Sequence, residues 1–435
     1  MAGQSRETRV SRTASLRVVF GIVSLDLIGF GILIPQLGVY GVKFGASPFT
    51  VGLLISVYSL MQLVAAPVLG RLSDRFGRRP VLLVSQVGSL LGYLLFAGAH
   101  SLPLLFLSRV IDGISGGNIA TAQAVVADIT RPEERAKGMG VIGAAFGVGF
   151  VLGPALGGFL GAWGGNLAIG LFAAGLVAVN LVCTYLFLPE SRVPGGPDGH
   201  ARTLKSAAQA LRLPFVAKCL VLMLLFTTAF AQMEGTFSVY LLTRFLSAGP
   251  VPLAGGLFLH PVVADADVLR EASLRAGWLF AMVGVLSALV QGGVVRRLVG
   301  GEGGGGTGRE AHVAMAGFGV TAVGLALLPV APTYGWLFPV MGLLAVGSAL
   351  TNPCLSALVS LHAPPERLGA ALGGFQAAGS LGRIVGPALG GWLFTRLGPA
   401  APYGTAAGML ILGTVVAAAL ATQARMAGAR VGQRS

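Results

Sequence analysis

Twelve long apolar stretches dominate this chain, at 18–40, 50–71, 80–99, 103–127, 138–162, 166–188, 216–241, 276–298, 312–331, 335–360, 367–394 and 401–422. About twenty apolar residues in a helix, rising ~1.5 Å each, cross the ~30 Å hydrocarbon core of a bilayer. Lipid offers the backbone no water, so only helices or closed barrels can span it. The runs here are continuous rather than alternating, which selects helices over a barrel. The expected fold is an all-α membrane protein of twelve spans. Composition agrees, with 54% of the 435 residues hydrophobic and only 11% charged. That excludes a soluble globular enzyme, a disordered chain and a disulfide scaffold.

The formal net charge of +14 invites a nucleic-acid reading, but the positions of the charges oppose it. With the N-terminus inside, 23 of the 30 Lys and Arg residues fall in inner segments and five in outer loops (Lys43, Arg244, Arg270, Arg275 and Arg396). Arg109 and Arg383 lie within spans. This asymmetry places both termini in the cytoplasm, in an inner membrane, with the lipid bilayer as partner and no nucleic acid. Cys183, Cys219 and Cys354 show no metal spacing, and no metal site is expected. A metal site among His260, Asp265 and Asp267 of the 242–275 loop is not expected either.

The chain repeats itself. Gly153-Pro154-Ala155-Leu156-Gly157-Gly158 recurs verbatim at 386–391, an offset of 233, so span 5 returns as span 11 in the same orientation. Two six-helix pseudo-repeats follow, 1–190 and 216–435, joined by a linker at 191–215 that contains Pro194-Gly195-Gly196-Pro197. Such duplications place a central site between the halves. Since one chain carries both halves, a monomer is expected. The glycine-rich run at 300–308 lacks the Gly-Lys-Ser/Thr ending of a phosphate loop and reads as a flexible connection.

Three motifs carry a family resemblance. The loop after span 2 reads Gly70-Arg71-Leu72-Ser73-Asp74-Arg75-Phe76-Gly77-Arg78-Arg79-Pro80. Span 4 carries Arg109, Asp112, Gly113, Gly116 and Gly117, and ends at Asp128. Span 5 carries Gly147, Gly149, Gly153, Pro154, Gly157 and Gly158. The loop resembles the signature loop of the major facilitator superfamily, and span 5 resembles the antiporter motif of its proton-coupled exporters. Together they resemble the twelve-span drug/proton antiporters, and among those the tetracycline/proton antiporters. The tetracycline exporters have Asp where span 3 here has Gly92. The resemblance implies a gate in which Asp74, Arg75, Arg78 and Asp128 form a charge network closed in the outward-facing state. It implies a tight seam between span 5 and span 8, made by Gly149, Gly153, Pro154, Gly157 and Gly158. It also gives Arg109 the task of tuning a nearby proton carrier.

Ionisable residues inside spans are costly and by default functional. Asp26 lies near the middle of span 1 and Glu234 about two thirds along span 7, and either suits a proton or a cationic group. Arg109 and Asp112 stand three apart on one helical face, where pairing is expected and Asp112 acts as counter-ion. Arg383 lies mid-span 11 with no acid within one turn, leaving Glu234 or Asp26 as partners from other spans. Gln62, Asn118, Gln232, Asn352, Gln376 and Arg383 are expected to line a largely apolar cavity for a small-molecule substrate. The expected function is proton-coupled export of small, lipophilic, neutral or cationic compounds, without a cofactor and driven by the proton gradient. The alternative is uptake or facilitated diffusion of a small metabolite. No nucleophile–base pair or phosphate loop suggests an enzyme.

Overall fold

The computed structural model describes residues 2–116, 118–130, 135–191, 213–246, 265–295, 307–364 and 367–432. Most of the expected linker, His260 and the glycine-rich run up to 306 lie outside these residues. Among the described residues every regular element is helical. They are α1 (Ala2–Lys43), α2 (Pro48–Phe76), α3 (Arg78–Ala97) and α4, which is built of two pieces, Leu102–Ser115 and Asn118–Ile129. One long helical segment, Arg135–Phe187, contains α5 (135–163) and α6 (166–187), divided at Gly164 and Gly165. Then come α7 (Pro214–Leu241), α8 (Ala266–Leu289), α9 (Thr307–Leu327), α10 (Leu337–His362), α11 (Leu368–Leu397) and α12 (Ala401–Gly432).

Nine stretches are individually long and apolar enough to cross a membrane. The count reaches twelve for physical reasons. The stretch Gly147–Phe187 holds two crossings, because Gly164 and Gly165 leave helical geometry and Gly165 takes φ +66°. Contacts on either side prove the reversal. Gly161 accepts from Tyr40 near the end of α1, Asn166 donates to the carbonyls of Ala97 and Ala99, and Asn180 returns to Ile22 near the start of the apolar part of α1. The α4 span is interrupted around Gly116, and α11 is diluted by glycine and by Arg383.

Two boundaries differ from expectation. Helix α8 begins at Ala266, about ten residues early, because Asp265 caps it by accepting from the Asp267 amide. Arg270 and Arg275 therefore stand on helix rather than in a loop. Helix α1 likewise starts well before residue 18.

Small residues set the packing of the repeat. Gly149, Gly153 and Gly157 press on the backbone of α1 at Leu27, Gly31 and Ile32. Their counterparts Gly382, Gly386 and Gly390 press on α7 at Thr227, Thr228 and Gln232. At the last position of the motif each helix crosses to the other half. Gly158 meets Gly277 of α8, and Gly391 meets Pro48 and Phe49 of α2. The expected seam between span 5 and span 8 is present, with Gly158 against Gly277 and Val151 against Gly284, but Gly149, Gly153 and Gly157 press on α1 instead. The spacing explains this. Positions 149, 153 and 157 repeat every four residues and share one face, whereas 158 is turned by ~100°.

Among the described residues, the contacts between halves cluster away from the signature loop. Gly52 meets the Pro387 carbonyl, a Cβ on Gly38 would lie 2.8 Å from Ser238, and Ser56 donates to Ile384. Ser238 donates to Pro35 at 2.6 Å, and Ser273 donates to Gln36 at 2.9 Å. Val39, Val42, Ala46 and Val51 complete this seal by joining the apolar core of α7–α12.

Candidate functional site

A cleft of about 490 Å³, open solvent included, lies between the halves. Helix α1 contributes Phe30, Leu33, Ile34 and Leu37, and α2 contributes Ile55, Tyr58 and Ser59. Arg109 enters from α4, Ala231 and Glu234 from α7, and Arg383 and Pro387 from α11. Apolar walls with a few ionisable groups can hold an amphipathic molecule and fix its orientation.

Arg109 is held firmly. Its Nη1 lies 3.1 Å from Asp112 Oδ2, with both side chains almost fully buried. The guanidinium carbon stands 5.9, 5.8 and 5.9 Å from the ring centres of Tyr58, Tyr93 and Phe96, within cation–π reach. Its Nη2 is buried and has no hydrogen-bond partner. Arg383 shares the cleft with Glu234, and the two attract one another electrostatically. Arg383 Nη2 also donates to Ser380 at 3.2 Å. Of the two acids left open as partners for Arg383, Glu234 is the one beside it in the cleft.

Asp26 sits outside the residues that line the cleft. Asn180 of α6 donates to Asp26 Oδ1 at 2.6 Å and to the Ile22 carbonyl at 3.0 Å. Asp26 lies one helical turn before Phe30, which does line the cleft, and interacts electrostatically with Tyr58 and Tyr93. Asn180 was not anticipated as a site residue. Its signal was an amide in the middle of the largely apolar span 6.

The signature loop forms a compact cluster at the other end of the half. Arg78 bonds Asp74 at 2.8 Å and Asp128 at 3.1 Å, while its Nη1 donates to Ser73. Arg75 is exposed and lies over the Phe76 ring. Gly77 takes φ +102°, and a Cβ there would meet the Glu190 carboxylate. That carboxylate accepts from the amides of Arg78 and Arg79, capping the positive end of α3. Glu190 was missed by motif reading because it follows span 6, far from the loop in sequence. The contacts joining Asp74, Arg78 and Asp128 run between α2, α3 and α4, within one half.

The remaining expected cavity residues are dispersed. Gln62 donates to the Gly116 carbonyl at 2.7 Å, bracing the break in α4. Gln232 is fully buried against α12, where Thr405 donates to its Oε1. Asn352 and Gln376 are exposed, and the side chain of Asn118 lies outside the described residues. None of Gln62, Gln232, Asn352 and Gln376 lines the cleft described above. Gly92 explains itself: a Cβ there would lie 2.9 Å from that of Asp112, so the Arg109 pair occupies the space.

A sequence model of the Major Facilitator Superfamily matches residues 19–304 and 272–433. The chain belongs to the major facilitator superfamily. It is a transporter of a small molecule, built into a membrane, and not an enzyme. It is 34% identical over 377 residues to the tetracycline resistance protein, class C, of Escherichia coli, covering 86% of this chain and 88% of that one. It is 30% identical over 466 residues to major facilitator superfamily domain-containing protein 10 of Bos taurus, covering 97% and 96%. The crystal structure of the human organic anion transporter MFSD10 covers 93% of this chain and 99% of its own, at 26% identity and TM-score 0.66. A nucleoside transporter with TM-score 0.68 and 14% identity, covering 94% of this chain and 99% of its own, shares the fold.

Proposed function

We propose that this chain exports small lipophilic compounds across the cytoplasmic membrane in exchange for protons. The observation that carries the reading is the cleft between halves, apolar but holding Arg109, Glu234 and Arg383. The likeness to tetracycline resistance proteins supports export, and the span 5 motif supports antiport. The Lys and Arg count puts the signature loop and both termini in the cytoplasm. The seal of Gly52, Ser56, Ser238 and Ser273 then lies on the external side, and the structure corresponds to an inward-facing state.

Asp26 carries the proton in this reading, and Glu234 faces the cargo. A charged Asp26 accepts strongly from Asn180, since hydrogen bonds to ionised groups are about twice as strong as neutral ones. Protonation weakens that tie between α1 and α6. Phe30, one turn along on the same face, then moves with α1 and reshapes the cleft wall. No cofactor is required, and one chain suffices. Alternating access is the rocking of α1–α6 against α7–α12 about the cleft.

Reconstituted protein tests this. Asp26→Asn is expected to lose uphill transport under an imposed pH gradient while keeping energy-independent exchange of cargo. Uphill transport retained by Asp26→Asn would remove the proton from that residue. Net inward accumulation in the physiological direction would favour the uptake reading.

A further inference from the structure

We propose that the first half encloses a chain of bound water, held by Asn180, Thr184, Gln86 and Ser85, that passes the proton from Asp26 to the cytoplasm without entering the cleft. This rests on Asp26 as the proton carrier and adds the route by which the proton leaves.

An imbalance between the halves points to it. Among the described residues, Ser24 Oγ, Ser85 Oγ, Gln86 Oε1, Arg109 Nη2, Thr121 Oγ1 and Asn180 Oδ1 are buried and lack a hydrogen-bond partner. All six sit on α1, α3, α4 and α6. The second half has one such atom, Glu310 Oε2. A buried polar atom left unpaired is expensive, and lipid around the bundle offers it nothing. Ordered water satisfies such atoms where several polar groups share one place.

The contacts join these groups into a track. Asn180 donates to Asp26 at 2.6 Å and leaves its own Oδ1 unpaired. Thr184 follows one turn later on the same face of α6 and accepts from Gln86 Nε2 at 2.9 Å. Gln86 stands next to Ser85 on α3, and Ser89, one turn on from Ser85, hydrogen-bonds Asp112. Side chains one turn apart on a helix stand ~5–6 Å from one another, a gap that one bridging water fills. Thr184 lies in the last turn before Phe187, and Ser85 lies two turns into α3, so this end of the track is the signature-loop end of the half. Asp26 is absent from the cleft lining.

In the inward-facing state the Asp26 O–H bond breaks and its proton joins the water on Asn180 Oδ1. Each water accepts one proton and gives up another, until one is released beside Thr184. Asp26 is left as the carboxylate that accepts from Asn180. Asn180, Thr184, Gln86 and Ser85 hold the waters without carrying the proton and are positioning residues. Proton and cargo therefore use different passages.

Proton release is followed with a soluble pH-sensitive dye after a jump to higher pH, on the purified full chain in lipid nanodiscs. The Asp26 phase is the part that Asp26→Asn lacks. Gln86→Met and the isosteric Thr184→Val are expected to slow this phase roughly tenfold, the worth of one lost hydrogen bond. Thr321→Val, which changes an equally buried threonine of α9, is expected to leave it unchanged. An unchanged rate in both Gln86→Met and Thr184→Val overturns the route. Hydration is read without any variant by brief X-ray radiolysis in isotopically labelled water, since radicals born from bound water mark the side chains beside it. Leu82, one turn before Gln86, and Tyr93, one turn after Ser89, are expected to take up label well above Leu344 and Tyr403, which are as deeply buried in the second half. Equal labelling overturns the water chain. Proton release identical in the wild type and Asp26→Asn would overturn the carrier role on which the route rests, whereas labelling of Leu82 and Tyr93 would still establish the water.

Discussion

Helices α5 and α11 share an identical run of six residues, 153–158 and 386–391, and the same packing, yet they do different things. Each presses three glycines, four apart, onto the first helix of its own half, and a fourth onto the opposite half. Where α5 has Phe150, however, α11 has Arg383. The helices they press on diverge in the same way. The matched contacts set Leu27 against Thr227 and Ile32 against Gln232, so Asp26 corresponds to Phe226 and Ile34 to Glu234. The first half holds its acid eight residues, or ~12 Å along the helix, before the level of the second half's acid. Close backbone packing was kept in both copies, while each half placed its charges at a different depth. In the first half Arg109 is paired with Asp112 on its own helix, whereas Arg383 and Glu234 of the second half face the cleft without a close ion pair.

The largest expected effect breaks this comparison at its firmest point. Arg109→Ala leaves Asp112 buried without its partner and should cost about 3–5 kcal/mol, seen as a large fall in unfolding temperature. Replacing both, Arg109→Met with Asp112→Leu, should recover most of the stability and none of the transport. Arg383→Gln should lower stability far less than Arg109→Ala while losing cargo binding. Equal losses for the two arginines would mean that the halves do not differ in this way.

Next come the crossing glycines. Gly158→Ala and Gly391→Ala force a methyl against the opposite half, an overpacking worth about 1–3 kcal/mol. The strain exists only while the seal is closed, so both variants should favour the opened seal. Introduced as Ser273→Cys in a background lacking Cys183, Cys219 and Cys354, a thiol under the seal should then react faster with an impermeant maleimide. Unchanged labelling in one variant only would show the seal to be asymmetric.

A smaller effect is expected at the signature loop. Glu190→Ala removes the cap on α3 and should cost about 1 kcal/mol, read as a modest drop in unfolding temperature. The smallest belongs to the exposed pair Arg275–Glu271, where Glu271→Ala should cost under about 1 kcal/mol and leave transport unchanged.

Much of this was legible in the sequence, for reasons that differ by level. The twelve spans follow from continuous apolar runs, which lipid permits only as helices. The pairing of Arg109 with Asp112 follows from spacing on one helix, and Asp74 with Arg78 is likewise a four-residue step. Contacts between distant helices were not legible in this way. Nothing in the local pattern tells that Asn180 reaches Asp26, that Glu190 caps α3, or that Gln232 turns toward Thr405 rather than the cleft. The glycine motif announced close packing but not against which neighbour. The partner of Arg383 stayed open between two acids until the helices were placed side by side.

The central claim is exchange of cargo for protons through this site. It is tested most directly in inverted membrane vesicles with an imposed inside-acid gradient, following the gradient and the entry of a labelled lipophilic compound together. The account predicts that the compound accumulates as protons leave, and that Asp26→Asn abolishes both movements. Accumulation without any proton movement, or gradient-driven accumulation surviving in the Asp26→Asn variant, would contradict it.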